Sequence, residues 1–221
     1  PRLVRRGQFL GLETGDRFTL IGASGFTLYQ QYLDSRPIEG VLAQLHTLGF
    51  NTVRVFGMYH NTHPLGLGRF IPADYGSRYW EGLKGFYQLL AKHKLYGEFV
   101  VFADTEPVMG GDIAAQVAHF ERVVTRLRFI SNALLEAVNE ADQVINRTAA
   151  LPFLQRPSGV TSSHGSNGSQ AEPIMPYWDY VTFHTNDAFE ESRKVGHNAW
   201  ELWSGPSVTN EPSRAVDKGY Y

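Results

Sequence analysis

The sequence contains no cysteine among its 221 residues, which excludes disulfide bonds and thiolate metal sites. It also lacks an uninterrupted apolar run of the roughly 18–20 residues that a membrane-spanning helix needs, so we expect no membrane association. The 20 Lys and Arg residues are balanced by 22 Asp and Glu residues. The sequence contains no long run of basic residues, so we expect no nucleic-acid partner. With 43% hydrophobic and 13% aromatic residues, the composition is that of a folded globular domain.

Two phosphate-binding motifs are absent as well. There is no P-loop, and the glycines at Gly22 and Gly25 do not open an immediate helix, so the dinucleotide-binding fingerprint is missing after the first strand. The basic residues 1–6 are not followed by an apolar stretch, so we expect no signal peptide within these residues, and the cellular compartment stays open.

Strand and helix patterns alternate along the chain after a predicted hairpin over residues 7–21. The predicted strands are 50–56, 96–102, 133–138, 159–163, 180–183 and 207–209, and the predicted helices are 37–49, 77–94, 112–130, 143–153 and 188–203. Long loops are predicted at 57–75 and 166–176. This alternation is typical of a parallel sheet covered by helices, which is either a barrel or an open doubly wound sheet.

The predicted strands are apolar until each ends in a polar or ionisable residue. Such strands are buried on both faces, and in a (β/α)₈ barrel the active site is built at their C-terminal ends. We therefore predict a polar site at one end of a barrel. The residues concerned are Ser24, Arg54 (within its strand), Asp104, Asn139 with Glu140, His164, His184 with Asn186, and Asn210 with Glu211.

Glu140 and Glu211 differ from the other strand-end residues because each is a carboxyl group that follows an Asn. Two carboxyl groups that converge on one site can divide acid and base roles, and glycoside hydrolysis needs such a pair. The alternative is that both residues lie in the first turn of a helix, where the helix dipole favours a negative charge.

The sequence resembles the cellulase-like clan of retaining glycoside hydrolases, which are (β/α)₈ barrels with catalytic Glu residues on strands four and seven. Residues 7–24 are similar to the clan's opening hairpin and first strand, and residues 48–56 to its second strand with Arg54. The stretch Glu136-Ala-Val-Asn139-Glu140 resembles the strand-four motif. The resemblance covers about residues 7–211.

The resemblance implies a role for each matching residue. Glu140 is the expected acid/base, Glu211 the nucleophile, Asn139 the partner of the sugar 2-hydroxyl, and Arg54 the group that keeps Glu211 ionised. It also implies a carbohydrate substrate, a reaction without a cofactor, and carboxyl groups ~5–5.5 Å apart. His184 and Asn186 take the place of the strand-six partner of the nucleophile.

Further substrate contacts are expected from strand-end residues and loop aromatics. Asp104 and His164 are the polar candidates, together with the strand-six pair. Flat rings stack on sugar faces, so the aromatic residues near loops or strand ends are candidate platforms, although ordinary packing would also explain them. These residues are Tyr59, Tyr75, Trp178 and Phe183.

Two other functions compete with a glycosidase. A non-catalytic carbohydrate-binding barrel would keep the fold and the aromatic residues without a complete site. A metal-dependent hydrolase could use the histidines of the chain, although no established ligand spacing occurs. The histidines concerned are His60, His63, His164 and His184.

The length adds a final expectation. A single catalytic domain over residues 1–221 is predicted, but only ten residues follow Glu211, which are too few for another helix and strand. A barrel of this class typically needs ~250 residues. We therefore expect a barrel that is incomplete after its seventh strand. Either the chain is a fragment, or part of the sequence is not represented in it, or the barrel closes unusually with seven strands or through a partner.

Overall fold

A computed structural model of the chain describes residues 1–60, 68–141, 143–167, 178–184 and 207–210. Its strands are β1 (Leu3–Arg6), β2 (Phe9–Leu12), β3 (Arg17–Phe18), β4 (Gly22–Ser24), β5 (Thr52–Phe56), β6 (Tyr96–Phe102), β7 (Ala133–Val138), β8 (Thr161–Asn167), β9 (Tyr180–His184) and β10 (Ser207–Asn210). Its helices are α1 (Leu28–Leu33), α2 (Glu39–Thr47), α3 (Pro72–Tyr75), α4 (Ser77–Lys92), α5 (Thr105–Met109) and α6 (Ile113–Leu127).

Seven of the strands form one parallel sheet in strictly consecutive order from β4 to β10. A doubly wound sheet reverses its strand order at a switch point, and this sheet has no reversal, so the arrangement is that of an α/β barrel. The predicted fold class is confirmed, with seven parallel strands within the described residues and an antiparallel hairpin before them.

The N-terminal hairpin closes the end of the sheet at which the parallel strands begin. It has three antiparallel strands, β1 to β3, of which β1 was not predicted. Leu3 and Leu10 of the hairpin pack against Leu134 and Tyr180, two buried residues near the start of β7 and β9. Because this end is covered by apolar side chains, a polar site is left to the opposite end, where the strands finish.

The main hydrophobic core lies between the sheet and its helices. Helix α4 contributes Leu83, Phe86 and Leu90, and these pack with Val123 of α6 and Phe99 of β6. These apolar residues recur at helical spacing, which is why the sequence predicts both helices. Among the described residues, no helix combines the length and the apolar character that crossing a membrane would require.

The segment after β7 differs from its prediction. The helix predicted over 143–153 is wrong, because the chain forms only two short 3₁₀ turns, Val144–Asn146 and Leu151–Phe153. Backbone N–H groups that a helix would bond internally find distant partners instead; that of Ala150 donates to Gln116 Oε1 at 2.8 Å. The strand predicted at 159–163 is Thr161–Asn167, which extends into the predicted loop 166–176.

Candidate active site

The two predicted catalytic carboxyl groups follow the fourth and seventh strands of the parallel sheet. β7 is the fourth parallel strand, and Asn139 and Glu140 come directly after it. β10 is the seventh, and Asn210 is its last residue. The predicted strand order is therefore confirmed. Glu211 follows β10 in the sequence but lies outside the described residues, and its role stays a prediction.

Arg54 of β5 is buried, with 3% of its side chain exposed, and contacts Glu136 of β7. Its Nε donates to Glu136 Oε2 at 2.8 Å and its Nη2 to Glu136 Oε1 at 2.9 Å, which is a bidentate ion pair with a fully buried carboxylate. The guanidinium also lies 4.7 Å from the ring centre of Phe56. The expected partner, Glu211, is outside the described residues, so that pairing stays a prediction.

Asn139 connects the buried ion pair to Glu140. Its Oδ1 accepts a hydrogen bond from Arg54 Nη2 at 2.9 Å, and its Nδ2 faces Glu140 Oε2 at 3.4 Å. Asn139 and Glu140 are both partly exposed, whereas Arg54 and Glu136 are buried. The chain of contacts thus runs from the interior of the sheet to its surface at the predicted site.

Glu140 and Asp104 both adopt left-handed backbone conformations, with φ of 41° and 49°. Non-glycine residues rarely hold this conformation unless their surroundings impose it. Here Asn146 bridges the two loops: its Oδ1 accepts from the backbone N–H of Asp104 at 2.7 Å, and its Nδ2 faces the Glu140 carbonyl at 3.5 Å. Sequence reasoning missed Asn146 because Asp104 is 42 positions away in the chain and the contact with Glu140 is made to its backbone carbonyl, so neither contact leaves a local motif.

Glu98 of β6 is a second buried carboxyl beside the ion pair. It is 1% exposed and accepts a hydrogen bond from the Tyr180 hydroxyl at 2.6 Å. Burial, together with the negative charge of Glu136, raises the pKa of Glu98 to about 7. A charged residue within an apolar strand is the signal that could have identified Glu98 and Glu136 from sequence, because buried charges need partners.

Because the pKa of Glu98 is raised, the folded protein binds a proton at this residue more tightly than the unfolded chain does. Stability gained from this group is present below pH 4.5 and is lost as the pH rises from 4.5 to about 7. Glu98→Gln removes the titration and keeps an acceptor for Tyr180. The difference between the two free energies of unfolding, variant minus native, should therefore increase by on the order of 3 kcal/mol from pH 5 to pH 8.

Urea unfolding of both proteins at several pH values measures this difference. Burial lowers the pKa of His119 to about 4, so its contribution to stability rises with pH and opposes that of Glu98. Both proteins contain His119, so subtracting one curve from the other cancels its contribution. A difference that stays constant from pH 5 to pH 8 would contradict the raised pKa.

Two of the aromatic candidates, Trp178 and Tyr59, are buried, whereas a ring that stacks on a sugar must be exposed; Tyr75 is partly exposed. Trp178 is 3% exposed, and its ring packs against His164 and Phe120. Tyr59 is also buried, and its hydroxyl donates to the Gln30 side chain. His164 is buried beside Trp178, and burial lowers its pKa. Contact of these three residues with a sugar stays a prediction.

The remaining predicted residues fall partly outside the described part of the chain. Asp104 Oδ2 accepts from the backbone N–H of His60 at 2.8 Å, at the end of β6. His184 ends β9, where its backbone pairs with Asn210, while its side chain and Asn186 lie outside what the structure describes. Within the described ranges, no three His, Asp or Glu side chains are grouped so as to hold a metal ion.

Comparison with solved structures gives the same fold. A glycoside hydrolase family 5 protein from Bacteroides vulgatus has a TM-score of 0.69 at 15% identity, with 94% of this chain covered. An endoglucanase from Thermobifida fusca has a TM-score of 0.60 at 14% identity, with 97% of this chain and 75% of its own covered. An endo-1,4-β-mannanase from Rhizomucor miehei has a TM-score of 0.62 at 11% identity, with 100% of this chain and 85% of its own covered.

These likenesses extend over most of this chain but over a smaller part of several neighbours. The chain spans 53% of the Bacteroides protein and 46% of another glycoside hydrolase. No protein-family model matches the sequence, and no curated protein matches it either. At 10–16% identity the likeness shows the fold, an α/β barrel shared with glycoside hydrolases, and supports the predicted resemblance at that level.

Proposed function

We propose that residues 1–221 form a catalytic domain of a retaining glycoside hydrolase that cleaves β-glycosidic bonds in an oligo- or polysaccharide. The observation that carries the proposal is the position of Glu140. It follows the fourth parallel strand beside Asn139, which is anchored to the buried Arg54, in a chain whose seventh parallel strand directly precedes Glu211.

In the proposed reaction, the Glu211 carboxylate attacks the anomeric carbon while Glu140, as the neutral acid, donates its proton to the leaving oxygen. The glycosidic C–O bond breaks, and a glycosyl ester forms on Glu211. Glu140, now ionised, takes a proton from water, and that water attacks the same carbon and releases Glu211. Two inversions give net retention, and no cofactor takes part.

The proposed substrates are β-1,4-linked glucans or mannans, since neighbours of this fold include an endoglucanase, a β-glucanase in complex with cellotetraose, and a mannanase. Incubation of the native chain with cellotetraose or mannotetraose, followed by ¹H NMR of the first product, tests the proposal. We expect the β-anomer to form first. Initial release of the α-anomer would contradict a retaining mechanism.

A non-catalytic carbohydrate-binding barrel is the competing proposal, favoured by the contacts of Arg54, whose Nε and Nη2 both donate to Glu136, a residue outside the expected catalytic pair. Glu211→Ala separates the two. For an enzyme, this variant should lose hydrolysis by roughly 10³-fold or more while sugar binding persists. A native chain that binds cello- or manno-oligosaccharides and hydrolyses none, as calorimetry and product analysis would show, supports the binding barrel.

A further inference from the structure

Glu136 occupies an unusual position for a charged residue, because it lies within an apolar strand with no exposure to solvent. Its carboxylate binds Arg54 through both oxygens, at 2.8 and 2.9 Å. Replacing a buried ion pair by apolar residues of similar size is often neutral or stabilising, so stability alone gives little reason for such a pair here. A role in the site would account for the pair better than stability does.

The geometry of the pair restricts the orientation of Arg54. A guanidinium bound through two parallel N–H groups lies in the plane of the carboxylate and cannot rotate freely. Nη2, which donates to Glu136, also donates to Asn139 Oδ1 at 2.9 Å. The plane fixed by Glu136 thus determines where Arg54 presents an N–H group to Asn139.

The contact with Arg54 also determines which end of the Asn139 amide faces Glu140. Arginine offers donors alone, so the amide oxygen must point toward Arg54 and the amide nitrogen away from it. Nδ2 accordingly lies 3.4 Å from Glu140 Oε2. A flipped amide would place two donors against each other on one side and two acceptors on the other, and both contacts would be lost.

We propose that Glu136 is a positioning residue: it fixes Arg54, which fixes the Asn139 amide with its N–H groups toward Glu140 and the substrate. This inference rests on the proposed glycosidase function, since it assigns the role of Asn139 within that site. Glu136 itself touches neither substrate nor reacting atoms and acts through the two residues between.

Glu136→Gln tests the proposal, because it keeps the shape of the side chain and replaces one carboxylate oxygen by an NH2 group, which cannot accept a hydrogen bond from Arg54. We expect kcat to fall about 10- to 100-fold, because small misplacements of site groups lower the rate by such factors, and KM to change less than about threefold. Val123→Ala, which truncates a buried core residue of α6, is the matched control for lost stability. The kcat of each variant is measured under conditions equally far from that variant's own urea midpoint.

A double-mutant cycle distinguishes positioning from a general structural effect. If Glu136 acts through Asn139, then Glu136→Gln in an Asn139→Ala background should slow the reaction no further than Asn139→Ala alone. Additive effects of the two substitutions would overturn the proposal, as would a loss of kcat no larger than that of the Val123→Ala control.

A measurement without substrate separates this proposal from the proposed function. The side-chain amide of Asn139 can be assigned in a ¹H–¹⁵N spectrum by its loss in Asn139→Ala. Its two proton signals should shift in Glu136→Gln and stay in place in Val123→Ala. Unchanged signals in Glu136→Gln would overturn the positioning role. If the native chain hydrolyses neither sugar, the proposed function fails, and this spectrum alone decides whether Glu136 positions Asn139.

Discussion

Glu140→Ala is expected to slow hydrolysis of an unactivated β-glycoside by roughly 10³-fold or more. The reason is that an alkoxide-like leaving group departs poorly unless an acid protonates it. A 2,4-dinitrophenyl β-glycoside needs no such proton, so it should still form the glycosyl ester on Glu211. That ester should then accumulate, since the base that activates water is missing, and stopped-flow absorbance should show a burst followed by slow turnover.

Azide gives this prediction a stereochemical readout. In Glu140→Ala, azide can enter the space left by the carboxylate and attack the glycosyl ester without base assistance, so turnover should rise and yield a β-glycosyl azide. Glu106→Ala, which removes an exposed carboxylate from α5, should show neither the burst nor the rescue. An α-glycosyl azide from Glu140→Ala would contradict the acid/base role, because that product belongs to a variant without the nucleophile.

Arg54→Met is expected to lower the free energy of unfolding by about 3–5 kcal/mol, which is a large part of the stability of a typical domain. Without Arg54, the Glu136 carboxylate loses both hydrogen bonds of the ion pair while it stays fully buried. Urea unfolding at neutral pH measures the loss. The double variant Arg54→Met with Glu136→Gln should recover much of it, because the Glu136 carboxylate that Arg54 compensates is removed as well.

Lys92→Met is the matched comparison for Arg54→Met. Lys92 pairs with Glu39 at 3.1 Å, but both side chains are more than half exposed, at 62% and 59%. Exposed pairs contribute about 0–1 kcal/mol, so this variant should unfold close to the native chain. If Lys92→Met and Arg54→Met lowered the free energy of unfolding by similar amounts, the prediction that burial makes the Arg54 pair more costly to break would be contradicted.

The sequence was sufficient to locate the central parallel strands, because strands buried on both faces are largely apolar, whereas their barrel order was expected from the family resemblance. β5, β6 and β7 were predicted within two residues of their observed bounds for this reason. Their order, in turn, placed Asn139 and Glu140 after the fourth parallel strand.

The partners of the site residues were not predictable in the same way. Arg54 and Glu136 are 82 positions apart in the chain, and only the pairing of β5 with β6 and of β6 with β7 brings them together. The 3₁₀ turns after β7 were missed for a related reason. Their backbone and side-chain groups bond to other loops, as Asn146 does to Asp104, and such contacts leave no periodic pattern in the sequence.

Covalent trapping on Glu211 is the most direct test of a retaining glycosidase site in this chain. A 2-deoxy-2-fluoro β-glycosyl fluoride of the gluco or manno series slows both steps through its fluorine at C2, while its fluoride leaving group restores the first. The glycosyl ester should therefore persist, and mass spectrometry of a protease digest should find the added sugar on the peptide that contains Glu211. A chain that hydrolyses cello- or manno-oligosaccharides but carries the sugar on another carboxylate, or carries none and inverts the anomeric centre, would contradict the proposed site.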